Sequence, residues 1–187
     1  MNRINKPQDS SIRLDNLVYG NRALLLRLID EQHQICAYTQ ARFTPTHAAD
    51  TDHFNPTLKN TDQDGYENWF AISTKWNRKK GSVKKWIRYQ PILHPTAIDF
   101  ENRVIYRNGI YDYEENDLEA KNLINYLNIN QEQLTVQRKN HLNLLRIILN
   151  TYCHNDLTEL RNFMLNEQPQ LIQFNRAIQN ELGINFP

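Results

Sequence analysis

Four side chains in the second quarter of the chain have the types and spacing that hydrolytic chemistry needs. Asp52 and His53 are adjacent and are followed by Pro56; Asn68 lies 15 residues after His53; Asn77 lies nine after Asn68 and is followed by Arg78, Lys79, Lys80 and Gly81. An imidazole has an ordinary pKa of about 6.5, so it accepts a proton from water near neutral pH. One carboxylate with one amide oxygen makes a hard, sparsely liganded site that keeps room for water. That donor set suits Mg²⁺ or Mn²⁺ better than a closed zinc site. Each residue also has a plainer reading. Asp-His is usually a turn or a cap, Asn68 a turn residue and Asn77 a helix N-cap. Arg78, Lys79 and Lys80, with Lys84 and Lys85, can be a solvated basic face. The joint spacing is what favours a single site.

The flanking segments must position these groups. Residues 50–65 are dense in Asp, Asn, Thr, Pro and Gly, which favour turns, whereas 66–74 is aromatic and β-branched enough for a short strand. A short helix is expected to open near Asn77 and to be limited by Gly81. Successive residues of a regular strand point to opposite faces. Asp52 and His53 therefore converge only if the chain bends, and Asn55-Pro56 predicts that bend because Pro offers no amide proton to a ladder.

Residues 1–13 are polar, contain Pro7 and read as a loose arm. From Leu14, the spacing of Leu17, Val18, Leu24, Leu25, Leu28 and Ile29 predicts an amphipathic helix over about 14–33. Residues 35–38 open an irregular region with at most a hairpin. Residues 100–113 alternate around Asn108-Gly109, a strong hairpin signal. Residues 114–128, 131–152 and 156–182 read as mainly helical, the last broken near Pro169. The expectation is an α+β fold with a core over 14–113 that carries these side chains and a helical region over 114–187.

With 187 residues the chain fits one domain, or a compact domain with a helical extension. Forty per cent of residues are hydrophobic and 23% charged, as in an ordinary globular protein. Lys+Arg 22 against Asp+Glu 21 leaves +1, which neither demands nor excludes a nucleic-acid partner. No apolar run reaches ~18 residues and no signal-peptide segment follows Met1, so a cytoplasmic location without membrane contact is expected. Cys36 and Cys153 lie far apart and form no Cys-x-x-Cys pair, which argues against a disulfide framework. The glycines are isolated, so no phosphate loop is present and the chain is not expected to bind ATP itself. His94, His141 and His154 are scattered and read as structural. Cys153 beside His154 lacks a partner at a spacing that would define a thiol nucleophile. His47 and Asp50, just upstream of the motif, are supporting groups or plain loop residues.

The segment from Cys36 to Ser82 resembles the HNH, or ββα-metal, nuclease motif in the variant whose final His is Asn. In that family two short strands and a helix clamp one metal ion. The resemblance implies metal ligation by Asp52 and Asn77, a general base at His53, and Asn68 holding the His-bearing loop. Asn77 then belongs to the catalytic set with His53 and Asn68, and Arg78, Lys79, Lys80, Lys84 and Lys85 line the path of the phosphate backbone. Hydrolysis of a phosphodiester needs the hydroxide and the cation that these groups supply, and cations beside the strand add salt-sensitive affinity. Many relatives also carry two Cys-x-x-Cys pairs that hold a structural zinc. The matching positions here are Cys36, Thr39, Ser73 and Trp76, so zinc is not expected. Packing by Tyr38, Trp69, Phe70 and Trp76 is expected to replace it.

The likeness extends over residues 15–150. A helix leading into Cys-Ala-Tyr, the hairpin with Asp99-Phe100 and Asn108-Gly109, and EAKNLINYLNINQEQLTVQR at 119–138 are similar to a bacterial HNH group. That group includes the nuclease subunit of the Septu antiphage defence system, which acts with an ATPase of the ABC/SMC type. The resemblance implies a metal-dependent endonuclease, DNA favoured, in antiphage defence, with the C-terminal helices as a docking surface for that ATPase. The rival expectation is a non-catalytic nucleic-acid-binding or scaffold subunit that kept the fold. A third is a nuclease active only inside a complex.

Overall fold

A computed structural model of the chain describes residues 1–15, 17–45 and 48–186. It is a mixed α+β protein with two small antiparallel ribbons set among helices. Helix α1 (Ser11–Leu14) and helix α2 (Arg22–Glu31) replace the single helix expected over 14–33. The break has a local cause: the side chain of Asn21 accepts from the Ala23 N–H at 2.8 Å and starts a new helix there. Residues 36–40 are buried and carry little regular structure, apart from a single bridge between Ile35 and Arg42.

Strand β1 (Ala49–His53) pairs antiparallel with β2 (Trp69–Ser73). The sequence of β1 is polar, so the ribbon is held by β2, four of whose five residues are buried. A single 3-10 turn, Tyr66–Asn68, precedes β2 where the strand was expected to begin. Helix α3 (Thr74–Lys80) starts directly from the end of β2, three residues earlier than expected. It stops at Gly81, whose φ of +89° is a left-handed conformation that favours glycine. Helix α4 (Val83–Arg88) follows.

Residues 100–103 form a helical turn, α5 (Phe100–Arg103), and not strand. The hairpin itself is as the sequence indicates. Strands β3 (Ile105–Arg107) and β4 (Ile110–Asp112) flank Asn108 and Gly109, whose φ values of 48° and 90° match the turn that Asn-Gly favours. Helices α6 (Leu118–Leu127), α7 (Glu132–Thr151), α8 (Leu157–Asn166) and α9 (Asn175–Leu182) complete the chain, with the break between the last two at Pro169–Leu171.

The N-terminal segment is packed, not loose. Met1 is fully buried, the Ile4 N–H donates to the Pro95 carbonyl at 2.9 Å, and the Lys6 ammonium reaches the Trp69 carbonyl at 2.5 Å. Nor do the helices form a separable region. One apolar core joins Met1, Phe54, Phe70 and Trp76 to Leu123, Leu142 and Phe174. A smaller cluster beneath α1 and α2 holds Ile12, Leu24, Leu28, Tyr66 and Trp69. Arg138, fully buried on α7, donates to the carbonyls of Gly109 and Ile129 at 2.9 Å and ties the hairpin to the helices. His141 is buried and bonded to the Leu171 carbonyl, and Cys153 is buried. The His154 side chain is 85% exposed. Among the described residues no helix is long and apolar enough to cross a membrane.

Candidate functional site

The two strands and α3 gather the sequence-derived residues into neighbouring groups along β1. The ladder runs unbroken from Ala49 to His53, with Asp52 opposite Phe70 and His53 opposite Trp69. The expected bend at the Asp-His pair is therefore absent, and the chain turns only after His53. Regular pleating sends Asp52 and His53 to opposite faces. Asp50 and Asp52, two apart, share the face that meets α3. Asp52 is buried; its Oδ2 accepts from the Tyr38 hydroxyl and from the Lys80 ammonium, both at 2.5 Å. Lys80 also donates to the His53 carbonyl. Burial holds the Asp52 carboxyl above its ordinary value, and Lys80 opposes that shift. Asn77 lies one helical turn before Lys80, and its amide donates to Asp50, not Asp52, at 3.0 Å. Asp50 also accepts from the Thr74 hydroxyl at 2.7 Å.

His53 belongs to a second group. Its Nε2 lies 2.7 Å from Asp64 Oδ2, so Nε2 carries the proton and donates it to the carboxylate. Asp64 is held in turn through Oδ1, which accepts from the Trp69 indole at 2.8 Å and from the Asn68 amide at 3.3 Å. Asn68 also clasps the segment just beyond His53, accepting from the Asn55 N–H at 2.7 Å and donating to its carbonyl at 3.0 Å. Nδ1 of His53 has no hydrogen-bond partner among the described residues. Burial pushes the imidazole below its ordinary value, while the bond to Asp64 pulls it back up. The ring is therefore the neutral, basic form at pH 7.

Tyr19 spans the two groups. Its ring lies over His53 with centroids 3.9 Å apart, and its hydroxyl donates to the Thr51 carbonyl at 3.0 Å. Burial raises its pKa, and so do, in decreasing order, Asp52, Asp50 and Asp64. Three carboxylates thus act on one hydroxyl. Lys80 is bonded only to Asp52 among them, so the remaining negative charge suits a cation. Among the described residues no three His, Cys, Asp or Glu side chains are arranged as a metal cage. The oxygens offered on the α3 side of β1 are those of Asp50 and Asp52 together with the Asn77 amide oxygen. That is an all-oxygen set of the kind Mg²⁺ and Mn²⁺ prefer.

The five basic residues expected along a phosphate path divide. Arg78 and Lys84 are exposed. The Lys79 ammonium is bonded to Gln131 and lies 4.4 Å over the Trp76 ring. Lys85 donates to the carbonyls of Lys79 and Tyr126. Lys80, only 3% exposed, neutralises Asp52 and is no part of a solvated face. Asp64, Tyr19 and the pairing of Asp50 with Asn77 were not legible in the sequence as site features. No spacing rule marks a residue in a turn-rich loop or one that arrives from a preceding helix–loop. His47 lies outside the described residues.

Tyr38, Trp69, Phe70 and Trp76 are all buried, and three of them, Tyr38, Phe70 and Trp76, share one core with Cys36. Cys36, Thr39, Ser73 and Trp76 all line a cavity of about 360 Å³. The Cys36 sulfur accepts from the Ser73 N–H at 3.4 Å. No family model, curated protein or solved structure matches the chain, so the site is interpreted from its own geometry and from the motif.

Proposed function

We propose that the chain is a metal-dependent endonuclease of the HNH, ββα-metal type, acting on phosphodiester bonds in nucleic acid, DNA in preference to RNA. The observation that supports this reading is the strand–strand–helix unit: His53 ends β1 with one nitrogen committed to Asp64, Asn77 on α3 bonds Asp50, and Asp52 two residues further along β1 bonds Lys80 of the same helix. Nδ1 of His53 takes a proton from water. The Nε2–H stays on Asp64, whose charge stabilises the imidazolium that results. The hydroxide oxygen bonds to phosphorus, the P–O ester bond breaks, and the departing oxygen takes a proton from solvent. A divalent cation, when held by Asp50, Asp52 and Asn77, supplies positive charge against the phosphate oxygens. Arg78 and Lys84 face solvent and attract the strand through its backbone charge. His53 is 5% exposed, and Tyr19 is the ring that moves to let a phosphate approach it. By the resemblance in 119–138, the chain acts in bacterial antiphage defence with an ABC/SMC-type ATPase as partner.

One observation favours the rival reading: the bond of Asp52 to the buried Lys80 occupies a carboxylate that the motif gives to metal. Such a chain would bind nucleic acid or act as a scaffold without cutting it. Incubating the full chain with plasmid and Mg²⁺ or Mn²⁺, alone and with the ATPase partner, separates the two. Nicking that needs the metal and vanishes in a folded His53→Ala variant supports the nuclease. DNA binding with no metal-dependent cutting under either condition sinks it.

A further inference from the structure

The cavity of about 360 Å³ lies on the side of α3 away from the candidate nuclease site. Lys75 and Trp76 line it, whereas their neighbours Thr74 and Asn77 bond to Asp50. Its other walls come from residues 36–44, from α7 and from residues 170–174. The volume is that of an ordinary small-ligand site. Its floor is apolar, made by the buried side chains of Trp76, Leu134 and Phe174.

The polar lining has an unusual balance. Four carboxamides, Gln133, Gln137, Gln170 and Gln173, stand with the two cations Arg42 and Lys75, and no Asp or Glu lines the cavity among the described residues. A cavity with cations and no acid selects an anionic ligand. Carboxamides present a donor beside an acceptor, the pattern that matches the edge of a nucleobase; Gln133 already accepts from Lys75, Gln170 donates to Gln168, and Gln173 accepts from the Arg42 N–H, which leaves Gln137 to present both. Arg42 is weakly engaged, since its guanidinium reaches the carbonyls of His33 and Ile172 only at 3.4 and 3.5 Å. Gln137 is exposed and has no hydrogen-bond partner among the described residues. His141 is fixed as an acceptor at Nδ1, because Nε2 donates to the Leu171 carbonyl at 3.0 Å, and it holds the Gln173 amide at 3.4 Å.

We infer that this cavity binds a nucleotide, the Gln137 amide meeting the base and Arg42 with Lys75 meeting the phosphate. No glycine-rich loop is needed, because side chains supply the phosphate contacts. The expectation that the chain does not bind ATP itself followed from the missing loop and does not cover such a site. The nucleotide is either a free ligand or one unit of a single strand.

Calorimetric titration of the full chain with AMP, GMP, CMP and UMP tests the inference, with adenosine and inorganic phosphate as half-ligands. At least one monophosphate is expected to bind with a Kd below about 1 mM and about tenfold or more tighter than either half-ligand. Arg42→Ala is expected to weaken it about tenfold or more, and Gln137→Ala about threefold. Gln137→Ala removes a side chain without partners, so it tests the site even if Arg42→Ala unfolds the chain. Competition by a short single-stranded oligonucleotide assigns the nucleotide to a strand, and lack of competition assigns it to a free ligand. Either result upholds the pocket. Absence of binding by all four at millimolar concentration, binding by phosphate alone equal to that of the nucleotide, or indifference to a folded variant overturns it. The titration measures no cleavage, so failure of the nuclease reading leaves this result standing.

Discussion

The imidazole of His53 is bonded to Asp64, 11 residues further along the chain, and not to its neighbour Asp52. The 2.7 Å contact fixes which nitrogen carries the proton and leaves the other for water. Asp64 is in this sense a positioning residue, itself held by Trp69 and Asn68.

Replacing Asp64 separates positioning from mere stability. With neutral His53 as the proposed base, the rate is expected to rise as pH increases through its pKa, which burial sets below the ordinary imidazole value. Asp64 pulls that pKa upward. Asp64→Asn therefore shifts the acidic limb of the pH–rate profile to lower pH, while the plateau falls by roughly one to two orders of magnitude. A plateau that falls with no shift of the limb in a folded variant would show that Asp64 only supports the loop.

Tyr19 covers the base, and its removal has an opposite signature. Tyr19→Ala re-hydrates the imidazole and weakens the desolvation that depresses its pKa. The acidic limb then shifts to higher pH, and cleavage above it rises severalfold because phosphate reaches Nδ1 without displacing a ring. Tyr19→Phe keeps the stacking and loses only the bond to Thr51, so it stays near the parent. Equal rates for parent and Tyr19→Ala across the profile would refute the covering role.

Much of the architecture was legible because it is written in local patterns. Asn108-Gly109 demands two left-handed residues in a row, and the stripes of 114–152 can bury only as helices. The strand–strand–helix order was legible only through the likeness to the motif, since by residue type 50–65 reads as turn although Ala49–His53 forms β1. Long-range pairings were not. Lys80 reads as one of a basic run, yet it occupies the helix position that faces Asp52 across the core. Ile4 and Lys6 read as part of a polar arm, but their partners, Pro95 and Trp69, are remote in sequence. The bend expected at Asp52-His53 failed for a related reason: β2 is apolar and buried enough to hold a polar partner strand straight to its end.

The pairing of Asp50 with Asn77 predicts how metal dependence changes. On the proposed reading, chelation with EDTA is expected to abolish cleavage by the parent, and Mg²⁺ to restore it. Asp50→Asn and Asn77→Ala each shift the Mg²⁺ saturation curve to about tenfold or higher concentration, in line with the loss of one hydrogen-bonded charged or amide oxygen. Arg78→Ala, remote from the carboxylates, leaves the metal curve in place and weakens DNA binding with a shallower salt slope. Identical Mg²⁺ curves for Asp50→Asn and parent would exclude Asp50 from the ion.

Acid stability reports on His94, which packs edge-on against Phe54 with centroids 4.9 Å apart. Burial lowers its pKa to about 4 from an ordinary 6.5. Protonation thus favours the unfolded chain, so its contribution is fully present above pH ~6.5 and is lost as pH falls toward about 4. Thermal unfolding between pH 7 and 4 is expected to show a smaller decline for His94→Phe than for the parent. Parallel declines would mean that other groups carry the acid sensitivity.

Lys80 and Asp52 are the most consequential buried pair, and their energetics predict a non-additive result. Both side chains are under 10% exposed, and the shared oxygen also accepts from Tyr38. Removing one partner strands the other charge in a medium that solvates it poorly, so Lys80→Met and Asp52→Leu are each expected to cost about 3–5 kcal/mol in urea unfolding. The double variant removes both charges and fills similar volume with apolar groups. It is expected to recover most of that loss and to unfold near the parent midpoint. A double variant whose loss equals the sum of the two singles would mean that the charges do not meet. The same double variant is expected to cut no DNA despite its recovered stability, because the oxygen Asp52 offers on the α3 face is gone with its charge.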